Sequence, residues 1–163
     1  MKICIWITKI FDLGGTKRVV SLLANELVKE HEVTIMTYED RFREDRTMYH
    51  LSEDINVDFI DNSQFVNKHH TPAFCARYLV KKLNDRSGMF NKKSLNPILA
   101  EAIFPQKTRE KWVEYFNSQD YDVILTTASL SLRLAMIAPR LKAATIGWQH
   151  NCYDGYLHVK PVV

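Results

Sequence analysis

The residues of this chain whose types and spacing suit chemistry on a ligand lie at three junctions. The first is Gly14-Gly15-Thr16-Lys17-Arg18, set between an apolar run and a long amphipathic segment. Glycine accepts positive φ and lets a ligand come close to the backbone, so a glycine pair between a strand and a helix reads as a binding loop. The first N–H groups of the helix that follows have no partner within it. Together with the positive end of the helix dipole they favour an anion such as a phosphate. Lys17 and Arg18 would oppose that dipole at a cost of a few tenths of a kcal/mol each, which an anionic ligand would offset. The competing reading is a tight turn with two solvated basic side chains.

The second junction is Thr127-Ala128-Ser129, where hydroxyls and helix N-terminal N–H groups could meet a sugar or phosphate, or where Ser129 simply caps a helix. The third is Trp148-Gln149-His150-Asn151, at the end of the last strand-like run. A histidine there can donate a hydrogen bond or carry a proton near neutrality, or it can be a satisfied structural residue.

Other chemistries lack their residues. The dinucleotide fingerprint needs three spaced glycines and only an adjacent pair is present, although Glu39 and Asp40 stand where a ribose-binding acid would lie. The Gly-Lys-Ser/Thr ending of a triphosphatase loop and the Gly-x-Ser-x-Gly hydrolase elbow are missing. His69-His70 has no carboxylate or cysteine at metal-ligand spacing and reads as solvated loop, so no metal is expected.

These junctions need elements to position them. The 163 residues, 46% hydrophobic and 25% charged, suffice for one α/β domain and are too few for two full ones. A net charge of +3 does not call for nucleic acid. Cys4, Cys75 and Cys152 are odd in number and far apart, which argues against a disulfide framework and for a reducing compartment. The N-terminal apolar run is too short for a signal peptide or a membrane span, so a cytoplasmic location is expected.

Lys2 to Thr8 and Glu32 to Tyr38 read as strands covered on both faces, with Val19 to Val28 as the helix between them. Glu39 to Ser52 is highly charged and aperiodic and reads as a long exposed loop, followed by a third strand over Ile55 to Ile60. Asn62 to Thr71 is polar. Pro72 opens a helix to about Asn84, with a break over Asp85 to Gly88. Met89 to Phe104 reads as a helix or helix pair interrupted near Pro97, and Pro105 starts another helix through Phe116. Tyr121 to Thr127 is the next strand, Ser129 to Ala138 a short helix and Ala143 to Trp148 a further strand; Gln149 to Val163 has no period. Strands alternating with helices predict a Rossmann-like, doubly wound parallel sheet with helices on both faces. Ligands of such sheets bind outside the carboxyl ends of the strands, where all three junctions fall.

The opening KICIWITKIFDLGGTKRVVSLLANELVKEHEVTIMTY resembles the start of family 4 retaining glycosyltransferases of GT-B architecture, and YDVILTTAS followed by ATIGWQHN resembles their later strand-and-histidine segment. The resemblance covers the two ends and not the middle, Glu39 to Ser118. It implies an N-terminal, acceptor-binding half-enzyme over residues 1–163, whose glycine loop faces the diphosphate of a sugar nucleotide across an interdomain cleft. Gly14 and Gly15 would be the loop glycines, Arg18 the basic position after them and His150 the active-site histidine near the transferred sugar. Thr16, Thr127, Ser129 and Trp148 would line the donor or acceptor site. The implied partners are a sugar nucleotide and a glycan or lipid-linked acceptor, with no cofactor, and the basic stretch from Arg77 to Lys111 would suit an anionic membrane surface. The family's paired-glutamate motif is absent, so the donor-binding domain is expected elsewhere and the isolated chain is expected to be inactive. A non-catalytic module that recruits a catalytic chain is the alternative.

Overall fold

The computed structural model describes residues 1–61, 72–88, 104–127 and 130–148. Lys2–Ile7 forms β1, and its lack of alternation follows from its position: it is the middle strand, hydrogen-bonded on both edges. It is followed by α1 (Gly15–Leu27), β2 (Glu32–Thr37), a 3-10 turn (Arg41–Arg43), β3 (Asn56–Phe59), α2 (Pro72–Ser87), α3 (Gln106–Ser118), β4 (Val123–Thr127), α4 (Leu130–Ile137), a second 3-10 turn (Ala138–Arg140) and β5 (Ala144–Trp148). The strands pair in the order β3-β2-β1-β4-β5, all parallel. This is the expected α/β, Rossmann-like sheet, and its order reverses between β1 and β4.

Alternate residues of β1 serve opposite faces. Ile3, Ile5 and Ile7 join Val33, Ile35 and Leu125 beneath Val20 and Ala24 of α1. Cys4 and Trp6 join Met36 and Ile124 beneath Trp112, Val113 and Phe116 of α3 and Leu130, Leu134 and Ile137 of α4. Trp6 is fully buried, with its ring centroid 4.7 Å from that of Trp112 and 5.2 Å from that of Phe116. Each such aromatic pair adds about 0.5–1.5 kcal/mol beyond area burial. The strands are therefore aligned by two cores, one on each face, and their carboxyl ends share one edge.

Several boundaries differ from the sequence expectation. The strands lose their flanking residues Thr8, Tyr38, Ile55, Ile60, Tyr121, Asp122 and Ala143, which lie beyond the ladder. α1 begins at Gly15 instead of Val19, because the Gly14 carbonyl already accepts the Arg18 N–H at 3.1 Å. α2 runs through Asp85 to Ser87, where the Ser87 hydroxyl bonds the Leu83 carbonyl at 2.7 Å, and ends before Gly88, whose φ of 61° is left-handed. α3 extends to Ser118, and the proline-containing 3-10 turn continues α4 past Ile137.

The expected exposed loop from Glu39 to Ser52 is only partly that. Glu39 and Leu51 are buried at its two ends, while residues 40–45 are exposed. Arg46 stitches the segment to itself, its Nη1 donating to the Ser52 carbonyl at 2.7 Å and the Ile55 carbonyl at 3.1 Å. Asn25 of α1 adds two bonds, donating to the His50 carbonyl and accepting from the Ser52 N–H, each at 2.9 Å. The readings made for residues 62–71, 89–103 and 149–163, including His69, His70 and the interruption near Pro97, lie outside the described residues.

Candidate functional site

β1 ends at Ile7, and residues 8–14 carry the chain over the sheet's carboxyl edge to α1. Gly14 and Gly15 are exposed there, Thr16 and Lys17 half-buried and Arg18 exposed. No side chain caps the helix, and no acidic residue lies in its first turn. The Gly14 N–H is taken by the Tyr49 hydroxyl at 2.8 Å, so the N–H groups of Gly15, Thr16 and Lys17 are the ones left to point outward.

The glycines do not serve the backbone as anticipated. Gly14 is extended, with φ 160° and ψ 147°, a conformation open to any residue. A Cβ on Gly14 would meet the aliphatic part of Lys17 at 3.0 Å, and one on Gly15 would meet nothing within 4 Å. Gly15 thus keeps a space clear that no described residue fills. The case for it as a binding residue rests on that space and not on left-handed geometry.

Cations border the loop. Lys17 folds back so that its Nζ donates to the Leu13 carbonyl at 3.4 Å, and Lys9 pairs with Asp12 at 3.2 Å. The Lys9 hydrogen bond and charge hold the exposed Asp12 carboxyl below its usual range, with smaller help from Lys17 and Arg43. Among the described residues no ion pair engages Arg18.

Thr127 and Trp148 are register partners at the last positions of β4 and β5, so both reach the same edge as the glycine loop. Thr127 is buried, and Trp148 is half-buried against the α1-side core. Ser129 and His150 lie outside the described residues. The sheet order places β4 directly beside β1, which brings the Thr127 end next to the strand that feeds the glycine loop.

Sequence reasoning missed three contributors. Tyr49 gave no signal, being a lone aromatic in a charged stretch. Glu39 was weighed as a ribose-binding acid, yet its Oε2 accepts the Ile10 N–H at 2.6 Å and the Phe11 N–H at 3.0 Å. That carboxylate is committed to the protein's own loop, which counts against dinucleotide binding. Arg133 of α4 is the third. Its guanidinium acts on the phenol of Tyr38, just beyond β2, and lies over the Phe104 ring, 5.8 Å from its centroid. Burial pushes the Tyr38 phenol up to about 12 against the opposing effect of Arg133 and of the Trp6 Nε1–H, which donates to it at 3.1 Å.

Among the described residues no group of three or more His, Cys, Asp or Glu side chains is placed to hold a metal ion. No helix there is long and apolar enough to cross a membrane. What the described edge could offer chemically is a place for an anion, at outward N–H groups bordered by cations. No protein-family model matches this chain, and no curated protein shows significant similarity to it.

Proposed function

We propose that this chain is the acceptor-side half of a GT-B-type retaining glycosyltransferase, which moves a sugar from a sugar nucleotide to a cell-surface polysaccharide or lipid-linked acceptor on the cytoplasmic side of the membrane. The observation that carries the reading is the uncapped first turn of α1 with clear space at Gly15, at the carboxyl edge of the central strand. A diphosphate fits such a place because the N–H groups approach it directly while Lys17 and Arg18 offset its charge. The order of motifs along the chain supports the family.

In this reading the N–H groups of Gly15, Thr16 and Lys17 hold the donor diphosphate, Thr127, Ser129 and Trp148 border the sugar or acceptor, and His150 donates a hydrogen bond to a sugar hydroxyl without acting as nucleophile. The donor's base and sugar are recognised by a second domain, so this chain alone transfers no sugar. Turnover by the purified chain with any sugar nucleotide would refute the half-site assignment. Exposed Lys82 and Arg86 on α2 and Lys107 and Lys111 on α3 support contact with an anionic leaflet. Co-sedimentation with liposomes that ignores anionic lipid content and salt removes that part.

A second reading, a docking module for a catalytic chain, is favoured by β5. It pairs only with β4 among the described strands, and its Ala144, Ile146 and Gly147 are exposed, whereas β1, β2 and β4 are buried over nearly their whole length. A binding partner that protects β5 amides from exchange, with no nucleotide response at α1, would favour this second reading.

A further inference from the structure

On the sheet face that α3 and α4 cover, side chains from separate segments meet at the carboxyl edge. Tyr38 follows β2, Phe104 precedes α3, and Arg133 stands in the first turn of α4, which leaves the sheet at the end of β4. The sheet order puts β1 between β2 and β4, so these residues straddle the point where the order reverses. Doubly wound sheets bind their ligands outside that point. α1 packs on the opposite face.

Arg133 is half-buried, and among the described residues it enters no ion pair. Its guanidinium lies 5.8 Å from the centroid of the buried Phe104 ring and acts by its charge on the Tyr38 phenol. A ring face offsets part of the cost of drawing a cation out of water, but it gives the guanidinium N–H groups no acceptor in return. Tyr38 has a surplus donor too. Its oxygen accepts the Trp6 Nε1–H at 3.1 Å, while its own O–H meets no acceptor among the described residues. The ring is fixed edge-on to Trp6 and Trp112, with centroids 6.4 and 6.1 Å away. Burial pushes the phenol up to about 12, so it keeps its proton at neutral pH. The neighbouring acid, Glu39, is turned to the α1 side and accepts from Ile10 and Phe11 instead. Donors thus converge at this point while the carboxylate beside them is engaged elsewhere.

We propose that Arg133 and the Tyr38 hydroxyl form a subsite for a single carboxylate, that of an acidic sugar unit in the acceptor. A planar guanidinium matches a planar carboxylate through paired N–H groups, and the phenol adds a further donor. One cation answers one negative charge, which suits a carboxylate better than a multiply charged phosphate. The assignment to an acceptor rests on the acceptor-side reading above; the preference for an anion rests on these two side chains.

The test titrates glucuronate, glucose and inorganic phosphate into the full chain. The indole N–H resonance of Trp6 is followed, because its hydrogen bond makes it a reporter of the Tyr38 oxygen. Glucuronate should shift it saturably and bind more tightly than phosphate, with glucose about tenfold weaker or more. Arg133→Met keeps an apolar stem over Phe104 and removes the charge. It should weaken glucuronate about tenfold or more, with glucose binding and the melting temperature unchanged. Arg133→Lys keeps the charge without the fork and should fall between. Tyr38→Phe, followed at the Arg133 Nε–H, should weaken glucuronate about fivefold. Should Arg133→Met fail to fold, the affinities of Arg133→Lys and Tyr38→Phe carry the test. Glucose or phosphate binding as tightly as glucuronate, or unchanged glucuronate binding in the folded variants, would overturn the carboxylate subsite and leave the acceptor-side reading standing. A wild-type resonance that moves with neither sugar would overturn the subsite and count against the acceptor-side reading as well.

Discussion

Tyr115 of α3 donates its phenolic proton to Asp58 Oδ2 of β3 at 2.6 Å, joining the helix that covers one face of the sheet to the strand at its outer edge. Asp58 in turn faces Cys4 and Tyr121, so these groups form one polar cluster beneath the aromatic core. Loss of the Tyr115 hydroxyl leaves the ring packed on Trp112 and Phe116 but removes the proton offered to the carboxylate. Tyr115→Phe should therefore cost about 1–2 kcal/mol, a charge-assisted hydrogen bond discounted for partial exposure. Urea denaturation should show a lowered midpoint with an unchanged slope. An unchanged midpoint would mean that water replaces the hydroxyl without loss.

The same cluster predicts how the fold responds to alkali. Burial raises the Cys4 thiol and the Tyr115 and Tyr121 phenols, and nearby Asp58 raises them further. Burial pushes Tyr38 up to about 12 against the lowering effects of Arg133 and Trp6. Each group binds its proton more tightly in the folded chain than in the unfolded one. Below about pH 8.5 all four are neutral in both states and stability is unaffected. As the pH passes about 8.5 for the thiol and about 10 for the phenols, the unfolded chain releases protons that the folded chain retains, and stability falls. Tyrosinate absorbance from Tyr38, Tyr115 and Tyr121 should appear only together with loss of the far-UV helix signal. A single smooth rise that precedes unfolding would contradict the buried assignment.

His150 follows β5 in the chain, and its role is a prediction about turnover. On the proposed glycosyltransferase reading, His150→Ala in the complete enzyme should lower the rate more than it weakens donor binding, since a hydrogen bond to a sugar hydroxyl made in the transition state would act on kcat. If the variant melts early yet its folded fraction turns over normally, the histidine is structural.

The apolar runs of β1, β2 and β4 were readable because both faces of a parallel strand are buried, which leaves an unbroken hydrophobic signature around Ile5, Ile35 and Ile124. The helical faces of α1 and α3 were readable for the complementary reason: Val20 and Ala24, and Trp112, Val113 and Phe116, recur at helical spacing. Glu39 and Tyr49 were not. Their partners lie 28 to 35 positions away, and those partners are backbone N–H groups, which carry no side-chain identity for a pattern to reveal. Arg133 was hidden in the same way, since only the packing of α4 brings it to Tyr38. The glycine pair does lie between β1 and α1 as read, but the positive φ invoked for it is not there, because neither residue is left-handed.

That last mismatch gives the sharpest separation of binding from folding. Gly15 is the first residue of α1, sits in ordinary helical geometry and would place a methyl group in open space. Glycine is less favourable than alanine in a helix by up to about 1 kcal/mol, less at the first position, and it adds entropy to the unfolded chain. Gly15→Ala should therefore keep or slightly raise the melting temperature. The same methyl group would stand where a phosphate must approach the N–H groups of the first turn, so pyrophosphate binding should weaken several-fold, and Gly15→Val should weaken it further. Thermal melts and an amide-resonance titration on the same samples decide the matter. Stability held or gained with binding lost identifies Gly15 as a residue kept for its ligand. Unchanged binding in both variants would show that the clear space is not where the anion sits.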